Sequence, residues 1–331
     1  MHRPDLPGSA QQKALGRKSR SSFVPTERDT AILRAVAEHR LLRSRSHLVP
    51  LFGGSLHVLR RLQRLTAERY LCRLAGRPHQ ESVYAIGDKG SDLLHRRFGV
   101  PRPKVEWTAQ NRTLTERHVA HTLLIADVLV GIELACRARP DLRFVSAAEV
   151  IERHASERVR QRAREVGGRP LRWRVRVRDG GWVGEGAIEP DGLFGIEHAG
   201  RGGTTKTDWY FLEADRGTMS VIPERPRLDR SSLFKKMLQY HASAEKKLDG
   251  QSLTGRHFGL PSVRTLFVLA TGARGQTRLQ RCLEASRHFQ GGRGTGLFLF
   301  VKREDLLEAT NPLTAPVTAG TGHLLPLSDA S

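Results

Sequence analysis

Apolar positions recur at helical spacing over residues 23–98. Thr26-Glu27-Arg28-Asp29 reads as a capping box, and Ile32, Leu33, Val36 and Ala37 follow on one face of a first helix. Ser44 to Leu51 predicts a second short helix, closed by Phe52-Gly53-Gly54. A third starts near Ser55 with Leu56, Leu59, Leu62 and Leu65 as its inner stripe. The spacing then becomes that of strands. Tyr70 to Leu74 and Ser82 to Ile86 flank a turn at Gly76-Arg77-Pro78-His79, which predicts a hairpin, and Asp88 to Phe98 predicts a fourth helix.

Gly99 to Asn111 carries two prolines and no period, the mark of a linker. Leu114 to Arg137 predicts a long amphipathic helix capped by Thr115, with Leu123, Leu124, Val128, Ile132 and Ala135 buried. Leu142 to Val145 reads as a short strand, and the arginine-dense Glu152–Arg169 as an exposed helix or a mobile insertion. Leu171 to Arg178 alternates strictly, with Arg172, Arg174, Arg176 and Arg178 on one face and Leu171, Trp173, Val175 and Val177 on the other. Ile188–Ile196 and Trp209–Arg216 have strand composition. A helix follows from Ser231 to about Lys247. Arg264–Ala270 and Gly296–Val301 are continuous apolar runs suited to central strands. The expected architecture is α/β (α+β overall) with a mixed central sheet. The expected organisation is a basic arm at 1–22, a helical module with a hairpin at 23–98, a linker at 99–111, an α/β domain at 112–308 and a loose tail at 309–331.

Charge changes the picture more than composition does. The chain has 331 residues, and its 55 Lys and Arg against 34 Asp and Glu leave a formal charge of +21. A surplus of this size implies a polyanionic partner, nucleic acid before any other. A membrane is not expected as the partner, because no apolar run looks long enough to span one and the first 22 residues lack the apolar core of a secretory signal. Cys72, Cys136 and Cys282 show no paired spacing, which suits a reducing cytoplasm and argues against a zinc module. On the third helix His57, Arg60, Arg61 and Arg64 fall on a single outward basic face. Together with Arg73 and Arg77 of the hairpin and the Arg172, Arg174 and Arg176 face, they are the candidate DNA contacts. Solvated surface and a charged edge strand are the competing readings.

The candidate chemistry lies between Ile188 and Arg216. Asp191, Glu213 and Asp215 stand in apolar surroundings, where carboxylates are costly unless paired or holding a cation. On a strand Glu213 and Asp215 leave the same face, so an Asp from the neighbouring strand would complete a cluster of hard oxygen donors for Mg²⁺. His118 and His121 lie one turn apart with no third ligand in view.

Three helices, a hairpin and a trailing helix resemble a winged helix-turn-helix, a fold whose third helix enters the major groove. Pro190-Asp191 and Glu213-Ala214-Asp215 resemble the PD-(D/E)XK nuclease superfamily, with Asp215 where the motif has lysine. That resemblance implies a restriction-endonuclease-like domain with Asp191, Glu213 and the Ala214 carbonyl on Mg²⁺ and Asp215 as a further catalytic acid. It also implies Lys236, from the helix that carries Tyr240, in place of the missing lysine, and Asp127 or Glu133 as an added acid. Taken whole, residues 23 to about 303 resemble the replication-relaxation family of bacterial plasmid and mobile-element proteins, with Glu152–Arg169 as an insertion. The likeness implies a cytoplasmic protein that binds double-stranded DNA, with a Mg²⁺-dependent nuclease-like domain. Other replication or relaxosome proteins are the implied partners, and a homodimer is open. A non-enzymatic replication or transcription regulator on a degenerate nuclease scaffold stands as the alternative, and an RNA-binding protein as a third reading.

Overall fold

The computed structural model describes residues 23–74, 80–101, 115–179, 182–200, 204–222, 231–245, 250–270 and 272–329. The basic arm, Arg77 and most of the linker lie outside the described residues.

Helix α1 (Glu27–His39) starts where the sequence predicts, with Asp29 N–H donating to the Thr26 hydroxyl and the Asp29 carboxylate accepting from Thr26 N at 2.7 Å. Strand β1 (Leu42–Arg43) leads through a π-helical turn at Ser44–Leu48 into α2 (Val49–Phe52). Then come α3 (Ser55–Ala67), β2 (Leu71–Arg73), β3 (Val83–Ile86) and α4 (Asp88–Phe98). The three strands pair antiparallel in the order β1-β3-β2. Ile32, Leu33, Val36, Leu62 and Leu65 fill the core beneath them, each such side chain contributing roughly 1.5–3 kcal/mol on burial. The predicted inner stripe of α3 needs one correction: Leu56 is 70% exposed, and Val58 takes its place in the core.

Helix α5 (Glu116–Arg137) joins the two halves of the molecule. Leu124, Val128 and Ile132 pack into the sheet domain, whereas Ala126 and Val130 pack into the N-terminal module. Its apolar surface therefore faces two ways. This corrects the expectation that no apolar run reaches spanning length, since an 18-residue window within the 22-residue α5 has a mean hydropathy of 1.9; burial against two cores accounts for that character. Asp127 on α5 pairs with Arg43 and His47 of the N-terminal module, and Glu133 pairs with Arg137 at 2.6 Å. Neither lines the pocket that Asp191 and Glu213 border.

The second half is built on a mixed seven-stranded sheet, order β12-β11-β10-β9-β8-β7-β4. Its members are β4 (Leu142–Val145), β7 (Gly192–Ala199), β8 (Thr205–Ala214), β9 (Arg264–Leu269), β10 (Phe298–Lys302), β11 (Pro316–Ala319) and β12 (Leu324–Pro326). β8, β9 and β10 run parallel, and the other pairings are antiparallel. The expected loose tail at 309–331 is thus corrected: β11 and β12 extend the sheet, and Leu313, Val317 and Leu327 are fully buried. Strands β5 (Trp173–Asp179) and β6 (Trp182–Ile188) form a separate hairpin outside this sheet. Glu152–Arg169 is largely exposed and helical, as one of the two expectations had it, but split between two helices. It holds the end of α6 (Ala147–Arg153) and all of α7 (Glu157–Arg164), anchored by buried Val150, Ala155 and Val159.

Two helices cover the sheet face opposite α5: α8 (Leu233–Ala244) and α10 (Gly272–Ser286). A short helix, α9 (Leu253–Phe258), lies between them in the chain.

Candidate functional site

The site forms where the chain crosses from the β5–β6 hairpin to the main sheet. Pro190 stands at that crossing. It has no N–H to continue a strand ladder, so pairing stops at Ile188 and resumes at Gly192 in another sheet. Asp191 N–H donates to Leu212 O at 2.9 Å, and the register Gly192↔Leu212 sets Asp191 opposite Glu213 on the adjacent strand.

Alternation along β8 decides which way Glu213 faces. Tyr210, Leu212 and Ala214 pack toward α5, while Phe211 packs toward α8, so Glu213 faces α8 too. Its Oε1 accepts from the Tyr240 hydroxyl at 2.6 Å, and its Oε2 accepts from the Lys236 ammonium. Lys236 and Tyr240 are four apart and share one face of α8. Asp191 accepts from Ala214 N at 2.8 Å through Oδ2, and its Oδ1 lies 3.1 Å from His121 Nε2 on α5. His121, Asp191, Glu213, Ala214 and Lys236 border a pocket of about 400 Å³ that His118, Asp215 and Arg216 also line.

Charge in the pocket is finely set. Burial pushes Glu213 up to about 7, against the pull of Lys236, and the neighbouring Asp191 charge adds to the rise. Burial pulls the Lys236 ammonium down, but Glu213 and Asp191 outweigh it and hold it above its ordinary value. Burial, with Glu213 beside it, drives the Tyr240 phenol well up. Burial and the nearby Arg40 and His121 lower His118.

The structure thus brings together Asp191, Glu213, Ala214 and Lys236. Asp215 lines the same pocket from beyond the end of the strand, which corrects its expected place beside Glu213 on one strand face. β8 ends at Ala214, and Asp215 enters a turn in which Gly217 adopts φ +75°. There Asp215 Oδ1 accepts from Gly217 N at 3.0 Å and Oδ2 accepts from Arg278 Nε of α10. His121, the residue that touches Asp191, stands in the sequence as half of a histidine pair and on a helix that enters the family likeness, with no partner assigned to it.

Among the described residues no group of three or more His, Cys, Asp or Glu is arranged to hold a metal ion by itself. Mg²⁺, however, is commonly held by one or two carboxylates and completed by water and substrate phosphate. Asp191 and Glu213 fit that pattern. They are hard oxygen donors at facing positions of adjacent chain segments, bordering one pocket, and the Asp191 charge adds to the rise at Glu213.

The predicted basic positions divide. His57, Arg60, Arg64 and Arg73 are exposed, with Arg64 also 3.1 Å from Glu68. Arg61 is not part of an open basic face. Its guanidinium turns back to the fully buried Asp29, with Nε 2.8 Å from Oδ1. Arg172, Arg174 and Arg176 are exposed, Arg172 in the loop just before the separate hairpin and Arg174 and Arg176 on it, none on a strand of the main sheet.

A family model for replication-relaxation matches residues 33–252. The chain belongs to the replication-relaxation family. The matched span includes His121, Asp191, Glu213, Lys236 and Tyr240, and it ends before β9. Comparison with curated proteins and with solved structures gave no match. Membership ties the chain to the replication of plasmids or mobile elements.

Proposed function

We propose that this replication-relaxation protein binds duplex DNA through its N-terminal module and hydrolyses a phosphodiester at the Asp191–Glu213–Lys236 pocket. One observation carries the catalytic reading: acids on two neighbouring strands and a lysine from α8 meet in a single pocket. The DNA-binding reading is supported by the element order of residues 27–98, its three-stranded antiparallel sheet and the exposed His57, Arg60 and Arg64 on its third helix. That order suits a winged helix-turn-helix, with α3 as the helix presented to the major groove. The net charge of +21 agrees with a DNA partner.

Asp191 and Glu213 would hold Mg²⁺, which when bound supplies charge stabilisation to the phosphate and a better water nucleophile. Lys236, 28% exposed at its side chain, reaches the pocket from Glu213 and orients a water or a phosphate oxygen. His121 fixes the rotamer of Asp191 from one side while Ala214 N–H fixes it from the other. Tyr240 clamps Glu213 from beneath.

The test is nicking of supercoiled plasmid with Mg²⁺ or Mn²⁺. Activity that disappears in Asp191→Ala and in Glu213→Ala supports hydrolysis. A folded, DNA-binding preparation that leaves the plasmid intact would instead support a regulator built on a nuclease-like scaffold. One observation favours that second reading: every oxygen of Asp191, Glu213 and Asp215 already accepts from a protein donor.

A further inference from the structure

A second cavity, of about 940 Å³, lies against the β5–β6 hairpin. Five arginines stand in its wall: Arg158 and Arg162 from α7, Arg169 and Arg172 from the following loop, and Arg174 from β5. Two of the five have carboxylate partners, Arg169 with Glu189 at 3.1 Å and Arg174 with Glu185 at 3.5 Å. Arg158, Arg162 and Arg172 pair with no carboxylate among the described residues. The crowding of positive charge registers on His257 in the same wall, which burial, then Arg162 and Arg158, lower from the ordinary imidazole value.

The cavity is built rather than incidental. The Arg162 guanidinium donates to Arg172 O at 2.9 Å, tying helix to loop. Gly168 lies so close to α7 that a Cβ there would sit 1.8 Å from Arg162 O. On the other wall, Gly186 would bring a Cβ within 2.5 Å of Gln239 Nε2 on α8. Trp173 anchors the floor, fully packed against Phe211 and Phe258, with its Nε1–H donating to Ser243 Oγ at 3.0 Å. Holding several unpaired guanidinium groups together costs electrostatic energy, which an anion would relieve.

We infer that this arginine-walled cavity binds the phosphodiester backbone of the DNA strand that flanks the carboxylate pocket. The inference rests on the proposed nucleic-acid substrate. Helix α8 links the two places: Lys236 faces the carboxylates, and Ser243, about two turns or ~10 Å further along, holds the cavity floor. Phosphates recur every ~3.4 Å of axis along one strand of a duplex. A strand crossing from one pocket to the other therefore places its phosphates a few nucleotides from the scissile one against the arginines. Arg158, Arg162 and Arg172 supply planar donors suited to phosphate oxygens.

The experiment uses the full chain in EDTA, so that cleavage plays no part, and a fluorescein-labelled DNA duplex read by anisotropy across a salt series. In the double variant Arg158→Ala/Arg172→Ala the slope of log affinity against log salt should fall by about 2, since each phosphate contact contributes about 0.9. Affinity at moderate salt should fall on the order of tenfold. The charge-reversed pair Arg158→Glu/Arg172→Glu should weaken binding further at the same thermal midpoint. An unchanged slope in folded variants overturns the inference, even if plasmid nicking is confirmed. Tight binding of free ATP that the double variant loses, with DNA affinity unaltered, also overturns it and assigns the cavity to a nucleotide. Absence of nicking, by contrast, removes the hydrolytic proposal and leaves this binding readout intact.

Discussion

Asp29 in the N-terminal module and Glu213 in the sheet domain are both almost wholly buried, 0% and 2% exposed. Burial alone pushes any carboxyl up. The two end in opposite states. Asp29 takes hydrogen bonds from Thr26 N, the Thr26 hydroxyl and two nitrogens of Arg61, and these overcome burial and hold it below the ordinary carboxylate range. Glu213 has two donors and a second acid beside it, and stays raised at about 7. The difference separates a carboxylate compensated within the fold from one whose burial is only partly offset. The first is fully compensated within the protein, while the second keeps an uncompensated share of charge beside an open pocket.

The comparison breaks most visibly in activity. Glu213→Gln should cut plasmid nicking on the order of 10³-fold, about 4 kcal/mol of transition-state stabilisation, because it removes one of the two acids suited to the ion. Its unfolding free energy at pH 7 should move by no more than about 1 kcal/mol, since the wild-type group is near its own midpoint there. A urea titration beside the nicking assay checks both. A large loss of stability with nicking retained would make Glu213 a second Asp29.

Arg61→Ala should do the reverse. It leaves the Asp29 carboxylate buried with only the Thr26 donors, and removing one partner of such a pair costs roughly 3 kcal/mol. The midpoint of urea unfolding should fall while the slope stays the same. Nicking by the remaining folded protein should be unaltered at low salt. If stability is unchanged and DNA binding collapses, Arg61 belongs to the DNA-binding surface after all.

Acid and base titrations should separate the two carboxyls again. Glu213 has a folded pKa near 7, above the ordinary 4.5, so the folded protein keeps a proton that the unfolded chain releases between those values. Its contribution to stability is complete below pH 4.5 and is lost as pH rises through 7. Asp29, held below the ordinary 3.8, contributes above that value and loses its contribution as pH falls below it. The stability difference between wild type and Glu213→Gln should therefore decline from pH 5 to pH 8 by on the order of 2 kcal/mol. A flat difference would mean that Lys236 fully offsets burial at Glu213.

Much of this was legible in the sequence where a local rule sufficed. The capping box at Thr26 and Asp29 forms as the spacing predicts. Strict alternation in 171–178 correctly buries Trp173, Val175 and Val177. The strands around Asp191 and Glu213 were readable from apolar runs, and a family resemblance pointed to Lys236, which the structure sets beside Glu213. The misreadings share a cause: the deciding partner is far away in the chain. Arg61 has the helical phase of a basic face, but Asp29 lies 32 residues upstream to claim it. His121 finds its partner Asp191 70 residues on. Asp215 obeys the two-residue period only while the strand lasts, and the strand stops at Ala214. The C-terminal strands carry Thr, Pro, Ala and Gly without a clear pattern, and pairing of β11 with β10 supplies what the side chains do not announce.

The finest test lies on α8. Tyr240→Phe keeps a ring packed against Trp173, Phe211 and Phe267 and deletes only the hydroxyl that donates to Glu213 Oε1. Losing one donor to a buried carboxylate costs about 1 kcal/mol of stability, a small shift of the urea midpoint. The more telling consequence is in the pH profile of nicking. The missing hydrogen bond favours the protonated form of Glu213, so the acidic limb of the profile should move to higher pH. Activity at pH 8.5 should stay close to wild type while activity near neutrality falls several-fold. Arg61→Lys, which perturbs the corresponding clamp on Asp29, should leave that limb where it is. If Tyr240→Phe lowers nicking equally at every pH, the hydroxyl positions Glu213 without setting its charge, and the contrast between the two buried acids reduces to one of location.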